Sequence, residues 1–547
     1  MRKKIINRNL SHSLGRITSM NGEVSAQLST RMPHSSDDIE VNASVWMQSD
    51  KRELYNQQRI DYTNNEQMHT QFINDFSNAD PTRSYKMNFN AAYSYRPVND
   101  FTLTIGYGYE QTYKTESRNL YHLIGLDGWD SETGNALGTL PSEEQYLQTV
   151  DLSNSYNSRT FDRVQIPEIG INWWIKVGKA WRFNVYHKCD DELKRLPTVG
   201  KAWRFNVYHK MQLPVHNQTL RYKGADADTT FTRHSTQFRI YNSRLQLFSN
   251  NYRHNLTLEY GIDPQTPNLR YFVRATDDAD PLNVTRGGNR LKDILYYYTN
   301  LRYNYRGRMM VSPSIYYNRT NNAVSMGYFY DKATGRRTIT PASINGNWRA
   351  GAGLSVSGAL DKKRNLMFSN NINADFNNSA DFIGTDDESP MGKSIVKTWN
   401  TTERMRLDYK LGKHSIGFSG TLSWLRSTSG MATFSPINAY NYNYGLTALA
   451  VLPDGVNIST DITMYSRRGY ADEAMNDNNL VWNARATKSL IKGHLTLAVD
   501  AFDILHQLRK VDRYVNAQGR VETYYNTVPR YMMFHAIYKF NVMPKKK

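Results

Sequence analysis

The feature that most limits how this chain can fold is an alternation of apolar and polar residues with a period of two. In "YKMNFNAAYSYR", Tyr85, Met87, Phe89, Ala91, Tyr93 and Tyr95 fall on one side and Lys86, Asn88, Asn90, Ala92, Ser94 and Arg96 on the other. "FTLTIGYGYE" sets Phe101, Leu103, Ile105, Tyr107 and Tyr109 against Thr, Gly and Glu, and "HSIGFSGTLSW" sets Ile416, Phe418, Gly420, Leu422 and Trp424 against small polar residues. A helix would smear such residues around its axis, whereas a strand sorts them onto two faces. The chain is expected to be all-β.

Composition narrows the kind of β-protein. Hydrophobic residues make up 39% of the 547, with 38 Tyr and 10 Trp, and the mean hydropathy is -0.67. No stretch approaches the ~20 apolar residues of a membrane helix. A low average does not exclude a membrane β-barrel, because only one face of each strand meets lipid. A secreted, soluble carbohydrate-binding β-protein is the rival reading. The single Cys189 rules out internal disulfides and a cysteine-built metal site. The net charge of +18 is spread along the chain without a recognition motif, so nucleic-acid binding is not expected. The start, "MRKKIINRNLSHSLGR", is basic but lacks the apolar core of a signal peptide.

The connections argue for a barrel. Short turns are expected near 31–36, 97–100, 177–179, 250–252, 307–308, 361–364, 411–413, 453–455 and 490–493. Long polar segments lie between them, at 50–83, 115–158, 261–292, 377–393, 467–479 and 503–529. Tight turns on one side and long loops on the other are the mark of an outer-membrane barrel. Nine hairpins and a last strand make about nineteen strands, the first near 18–30. An odd number puts the two chain ends of the barrel on opposite sides, so an N-terminal portion is expected to be missing. The expected organisation is a disordered or truncated segment over 1–17, a transmembrane antiparallel β-barrel over 18–542 and a basic tail over 543–547. Tyr93, Tyr95 and Phe101 flank one tight turn while Tyr85, Tyr107 and Tyr109 are expected at the far ends of the same strands, as interfacial girdles require. Trp424, Tyr538 and Phe540 are assigned to the same girdles.

The segment "NLTLEYGIDPQTPNLRYFVRATDDADPLNVTRGGNRLK" resembles the strand and loop of TonB-dependent-receptor-like outer-membrane barrel proteins. The pattern is a strand ending in Tyr, a Pro-containing loop, then Asp280, Pro281, Leu282 and Asn283, followed by Gly288, Asn289, Leu291 and Lys292. Arg290 stands where family members usually carry Pro. The stretch from "LTLAVDAFDILHQ" to "YMMFHAIYKFNV" is similar to the family's closing hairpin, with an aromatic-ended last strand like that read by the barrel-assembly machinery. The resemblance implies a 22-stranded barrel in the outer membrane, of which about three strands are absent here. It also implies contact with outer-membrane lipid and lipopolysaccharide, a polar nutrient ligand, and TonB as a partner once a plug is supplied. The alternative within the same class is a plugless structural or passive-pore barrel.

"VGKAWRFNVYHK" occurs twice, at 177–188 and 199–210. "WRFNVYHK" reads as one transmembrane strand with Trp, Phe and Val toward lipid and Arg, Asn and Lys toward the lumen. Two copies do not make a repeat protein, so one is expected in the sheet and the surplus in an outer loop.

No enzyme and no cofactor are expected. Gly392, Lys393 and Ser394 resemble the end of a phosphate-binding loop, but Asp387 occupies the place of its required Gly. The clusters Asp277, Asp278, Asp280 and Asp386, Asp387, Glu388 lack the spacing of a calcium loop. No HExxH pair and no nucleophile elbow are present.

Overall fold

The computed structural model describes residues 7–540 except 65–66, 99–100, 130–134, 174, 178–180, 186–202, 250–251, 289–290, 332, 385–391, 432–433, 471–472, 474–475, 509, 516–519, 526–527 and 529. Nearly all of the strands belong to one 28-stranded sheet, with a separate two-stranded hairpin.

Nineteen staves carry the sheet in chain order. The first seven are β1 (Asn7–Arg31), β2 (Asp38–Asn64), β3 (Thr82–Val98), β4 (Phe101–His122), β5 (Val150–Trp173), β6 (Trp203–Gln212 with Val215–Gly224) and β7 (Asp228–Thr236 with Arg239–Ser249). Then come β8 (His254–Gln265), β9 (Ile294–Arg306), β10 (Met309–Asn321), β11 (Asn347–Ala359), β12 (Leu366–Gly384) and β13 (Gly392–Leu411). The last six are β14 (His414–Ser429), β15 (Ile437–Val451), β16 (Val456–Arg468), β17 (Asn478–Leu490), β18 (Leu495–Phe502) and β19 (Tyr531–Tyr538). Each pairs antiparallel with the next. The fold is all-β and of the barrel type, with the expected number of staves. Among the described residues the sheet is not closed: β1 pairs with β2 alone and β19 with β18 alone. Both end staves therefore present a free edge, and β1 is exposed along almost its whole length.

The alternation seen in sequence becomes two chemically distinct faces. On β4, Thr102, Thr104, Gly106 and Gly108 face inward, and Thr104 is 1% exposed against 58% for the adjacent, outward Ile105. The inward face is knitted by polar contacts, such as Lys210 Nζ to Glu168 Oε2 at 2.6 Å and Gln218 Nε2 donating to Asp162 at 3.0 Å. Gly106 is needed here because the Glu168 side chain fills the place a Cβ would occupy, 2.6 Å away.

Three expectations are corrected. Residues 7–17 belong to β1; they continue its pairing with β2 from Asn7 opposite Tyr62 onward. The basic tail expected over 543–547 lies outside the described residues. The long polar segments are partly strand: β2 rises to Asn64 and returns as Gln67–Asn78, β4 runs on to His122, and Lys510–Val515 pairs with Arg520–Tyr525. Paired strands satisfy each other's backbone groups, and here Tyr55, Phe76, Tyr121 and Leu123 also pack together. Lastly, the second copy of the repeat is the stave. The first copy, Trp181–Val185, pairs in parallel and in register with Trp203–Val207 and antiparallel with Ile175–Val177. The extra strand thus sits at the tight-turn end, not in an outer loop. A strand-forming segment satisfies its backbone by joining a sheet, whichever end it is inserted at. Cys189 lies outside the described residues.

One hairpin breaks the simple order. Ala323–Tyr330 and Arg337–Ile344 leave β10 and rejoin β11 through Asn322 (φ 53) and Gly346 (φ 117). Tyr328 and Phe329 pair in parallel with Ile383 and Gly384, while Asn283–Thr285 pair in parallel with Arg337–Ile339. The hairpin thus links the 266–293 connection to the outer end of β12.

Placing a charge on the outward face is expected to cost far more than placing one inside. Ile105→Arg should lose ~2–4 kcal/mol of stability in lipid, whereas Glu23→Arg on the hydrated face of β1 should stay within about 0.5 kcal/mol. Urea unfolding in short-chain phosphatidylcholine reads both, and equal losses would contradict the assignment of faces.

Candidate functional site

Two regions carry the chemistry: the outward band and the outer rim. Along the band, aromatic side chains form rungs across neighbouring staves. Tyr85, Tyr113 and Phe161 on β3, β4 and β5 follow one another with ring centroids 5.4 Å and 6.4 Å apart. Tyr317, Trp348, Phe376 and Trp399 do the same on β10 to β13, at 6.0, 5.1 and 4.8 Å. Both rungs lie on the order of ten residues from the tight turns. At about 3.3 Å per residue and about 40° of tilt that is roughly 25–30 Å, the height of a hydrocarbon band. The lower boundary carries exposed Tyr95, Tyr409, Tyr538 and Phe540.

The girdle residues chosen from sequence are distributed unevenly. Tyr93 and Tyr95 lie outward at the tight-turn end, where Tyr93 Oη donates to Asp37 Oδ2 at 2.7 Å in the first turn. Phe101 opens β4 opposite Trp173. Tyr85 lies in the upper rung and accepts from Gln111 Nε2 at 3.0 Å. Tyr107 and Tyr109 are outward but fall within the band, because β4 extends to His122 and Tyr113 takes the girdle position. Trp424 stands opposite Tyr440 in the upper belt and donates from Nε1 to Asn438 Oδ1 at 2.7 Å. Tyr538 and Phe540 close the last stave with rings 4.6 Å apart.

No protein-family model matches the chain, and no curated protein matches it in sequence. Solved structures do. The copper transporter OprC is 8% identical over 98% of this chain and 82% of its own, with a TM-score of 0.40. BauA, the ferric preacinetobactin receptor from Acinetobacter baumannii, is 9% identical over 97% and 79%, with a TM-score of 0.38. The outer membrane transporter YddB from Escherichia coli is 10% identical over 94% and 74%, with a TM-score of 0.36.

At the rim, the "DPLN" and "GN..LK" residues act as a structural clasp. The Asp280 carboxylate accepts from the Leu282 backbone N–H at 2.9 Å and from Asn283 Nδ2 at 2.7 Å. Leu282 and Leu291 are buried, and the Leu282 carbonyl accepts from the Arg337 N–H at 2.8 Å. Gly288 sits at φ 103, a backbone conformation L-residues avoid, and its N–H donates to the Tyr271 carbonyl at 2.9 Å. Lys292 N–H donates to Ser343 Oγ at 3.0 Å. Pro281 lines the cavity described below, and Asn289 lies outside the described residues. These residues shape the 266–293 connection, which packs on a cluster of Leu220, Tyr222, Leu269 and Val273.

Sequence reasoning missed the groups this clasp brings together. Asp278 accepts from Asn154 Nδ2 at 2.8 Å, and Asn154 also donates to Asp151 Oδ2 at 2.6 Å. His122 bridges Asp151, at 3.0 Å through Nε2, and Asp75, at 2.8 Å through Nδ1. This chain of groups lines an open cavity of about 660 Å³ with Phe72 and Pro281. Beside it, Arg118 pairs with Asp277 at 2.9 Å, and the Arg270 guanidinium lies 4.0 Å above the Tyr156 ring, which stacks on Tyr222. Asp277, Asp278 and Asp280 are thus each engaged by a different neighbour. Gly392, Lys393 and Ser394 open β13 as extended strand, and 386–388 lie outside the described residues. No signal in sequence links Asp75, which the β2 return strand supplies, with His122 and Asp151 at the facing ends of β4 and β5.

His122 lies nine residues beyond the upper aromatic rung on β4, well outside the lipid band. Its hydrogen bond to Asp75, helped by the charges of Asp75 and Asp151, raises it to about 8 against the opposing effect of burial. Burial raises Asp75; burial also pushes Asp151 up, but hydrogen bonds from Asn154 and the His122 charge hold it below its ordinary value. A raised histidine stabilises fully below its unfolded value of about 6.5 and loses that contribution as pH rises through 8. Hydrogen-exchange protection of the 123–149 connection should therefore fall between pH 7 and 9. In His122→Gln it should be flat over that window, and a wild-type fall persisting there would contradict the assignment.

Proposed function

We propose that this chain is the barrel portion of an outer-membrane receptor for uptake of a polar nutrient. The observation that carries the reading is the outward apolar band bounded by aromatic rungs on staves whose opposite face is polar and hydrogen-bonded. Water cannot solvate the free edges of β1 and β19 within hydrocarbon, so a membrane-spanning sheet needs further strands there. Both end staves run from the outer side to the tight-turn side, so antiparallel completion takes an odd number. This supports the reading of an N-terminally incomplete barrel, with the plug that TonB would act on supplied by residues outside this chain. The rim cavity, with its acids, His122, arginines and stacked tyrosines, suits a polar ligand held by hydrogen bonds and ring contacts. Catalysis is not part of the proposal. The aromatic last stave suits handling by the barrel-assembly machinery.

The proposal predicts partition into detergent and heat-modifiable migration on gels; extraction as a soluble protein would remove it. The DNA upstream of Met1 is expected to encode plug and strand sequence in frame or after a frameshift. A passive-pore role is separated by planar-bilayer conductance: steady, ligand-independent conductance by the complete product of that locus would favour the pore.

A further inference from the structure

Immediately beyond the rung Tyr85–Tyr113–Phe161, on its outer side, the sheet presents a row of outward cations. Each lies two residues further out on its stave, or directly across from one that does. Arg83 N–H donates to Thr115 Oγ1 at 2.8 Å, Thr115 stands opposite Arg159, Arg159 opposite Arg221, and Arg221 opposite Thr230. The row is completed by Ser49 opposite Arg83, so it holds no carboxylate. Arg83, Arg159 and Arg221 are exposed, while Ser158, Leu220 and Tyr222 beside them on the staves are buried on the other face. Among the described residues none of the three guanidiniums has an ion-pair partner. Arg163 lies on the other side of the rung, two residues from Phe161 toward the tight turn, with its guanidinium over the Phe161 ring at 4.5 Å. In the next row out, Lys223 faces Asp228.

Like charges directly opposed across a strand pair, with Cβ atoms about 5 Å apart, destabilise a sheet unless an anion lies between them. Three strand spacings of about 4.8 Å put Arg83 and Arg221 about 14 Å apart. Guanidinium groups pair with phosphate through two parallel hydrogen bonds, and the aromatic rung sets this row at the boundary of hydrocarbon and headgroup. We propose that Arg83, Arg159 and Arg221 form a docking site for a membrane lipid whose headgroup carries more than one phosphate. Its acyl chains lie against Tyr85, Tyr113 and Phe161 and, past the row of Met87, Gln111, Arg163 and Asn217, against Phe89, Tyr109 and Val215. This rests on the outer-membrane reading above. Elsewhere the same two-residue offset pairs Tyr317 with Arg319, Trp399 with Lys397 and Trp424 with Arg426, but in those pairs the cation stands opposite Trp348, Asn378 or Trp399.

The test is binding of fluorescent lipid A to the full chain in dodecyl maltoside, with folding checked by heat-modifiable migration. Exchange of all three residues (R83Q, R159Q, R221Q) is expected to weaken binding at least tenfold. The control exchange R319Q, K397Q, R426Q is expected to change it less than threefold. Restoration of most of the affinity by Lys at the three positions would support the charge as cause. Unchanged binding in the first variant, equal loss in the control, or full displacement of lipid A by millimolar inorganic phosphate would overturn the proposal. A barrel that migrates as folded yet fails these tests loses only the lipid site; a chain that stays soluble loses the membrane reading itself.

Discussion

The structure depends on one constraint: backbone N–H and C=O groups must find partners without water. Strands meet it by pairing sideways, leaving both faces of the sheet free to differ. Once pairing is delegated to the backbone, the side chains at odd and even positions can be chosen independently. On β4 this produces buried Thr104 next to exposed Ile105. The same division explains how a chain with a mean hydropathy of -0.67 can present an apolar band.

The constraint also ranks the irregular parts. The turned hairpin between β10 and β11, the parallel pairing of Asn283–Thr285 with Arg337–Ile339, and the in-register pairing of the duplicated "WRFNV" all place backbone groups opposite partners. The duplication is instructive because its two halves are identical and take different places. Only Trp203–Gln212 continues into Val215–Gly224, so only that copy bridges both ends of the band. The rim follows a different logic, with short-range turns such as that of Asp280 shaping connections that then meet across distant hairpins.

Much of the fold was legible. Period-two patterning located the staves, turn residues located the tight ends, and their sum matched the nineteen observed. Strand ends were not legible where polar segments continue as hairpins beyond the band, because β2 beyond Ser49 and β4 beyond Thr115 are mostly polar and their few apolar residues, such as Tyr55 and Tyr121, meet Phe76 and Leu123 only in the folded cluster. Tyr107 and Tyr109 therefore fall within the band, and Tyr113 stands at its edge. Motif residues such as Asp280 and Gly288 were visible in sequence, but their task of shaping a loop was not.

The order of residues along the chain determined which side chains face out, since strand geometry alone assigns odd and even positions to opposite faces. It determined the tight turns as well, because their chain spacing is local. Tertiary structure alone decided that His122 sits between Asp75 and Asp151, and that Arg159 stands across from Arg221. Those meetings depend on the register between staves far apart in sequence, and register is a property of the whole sheet.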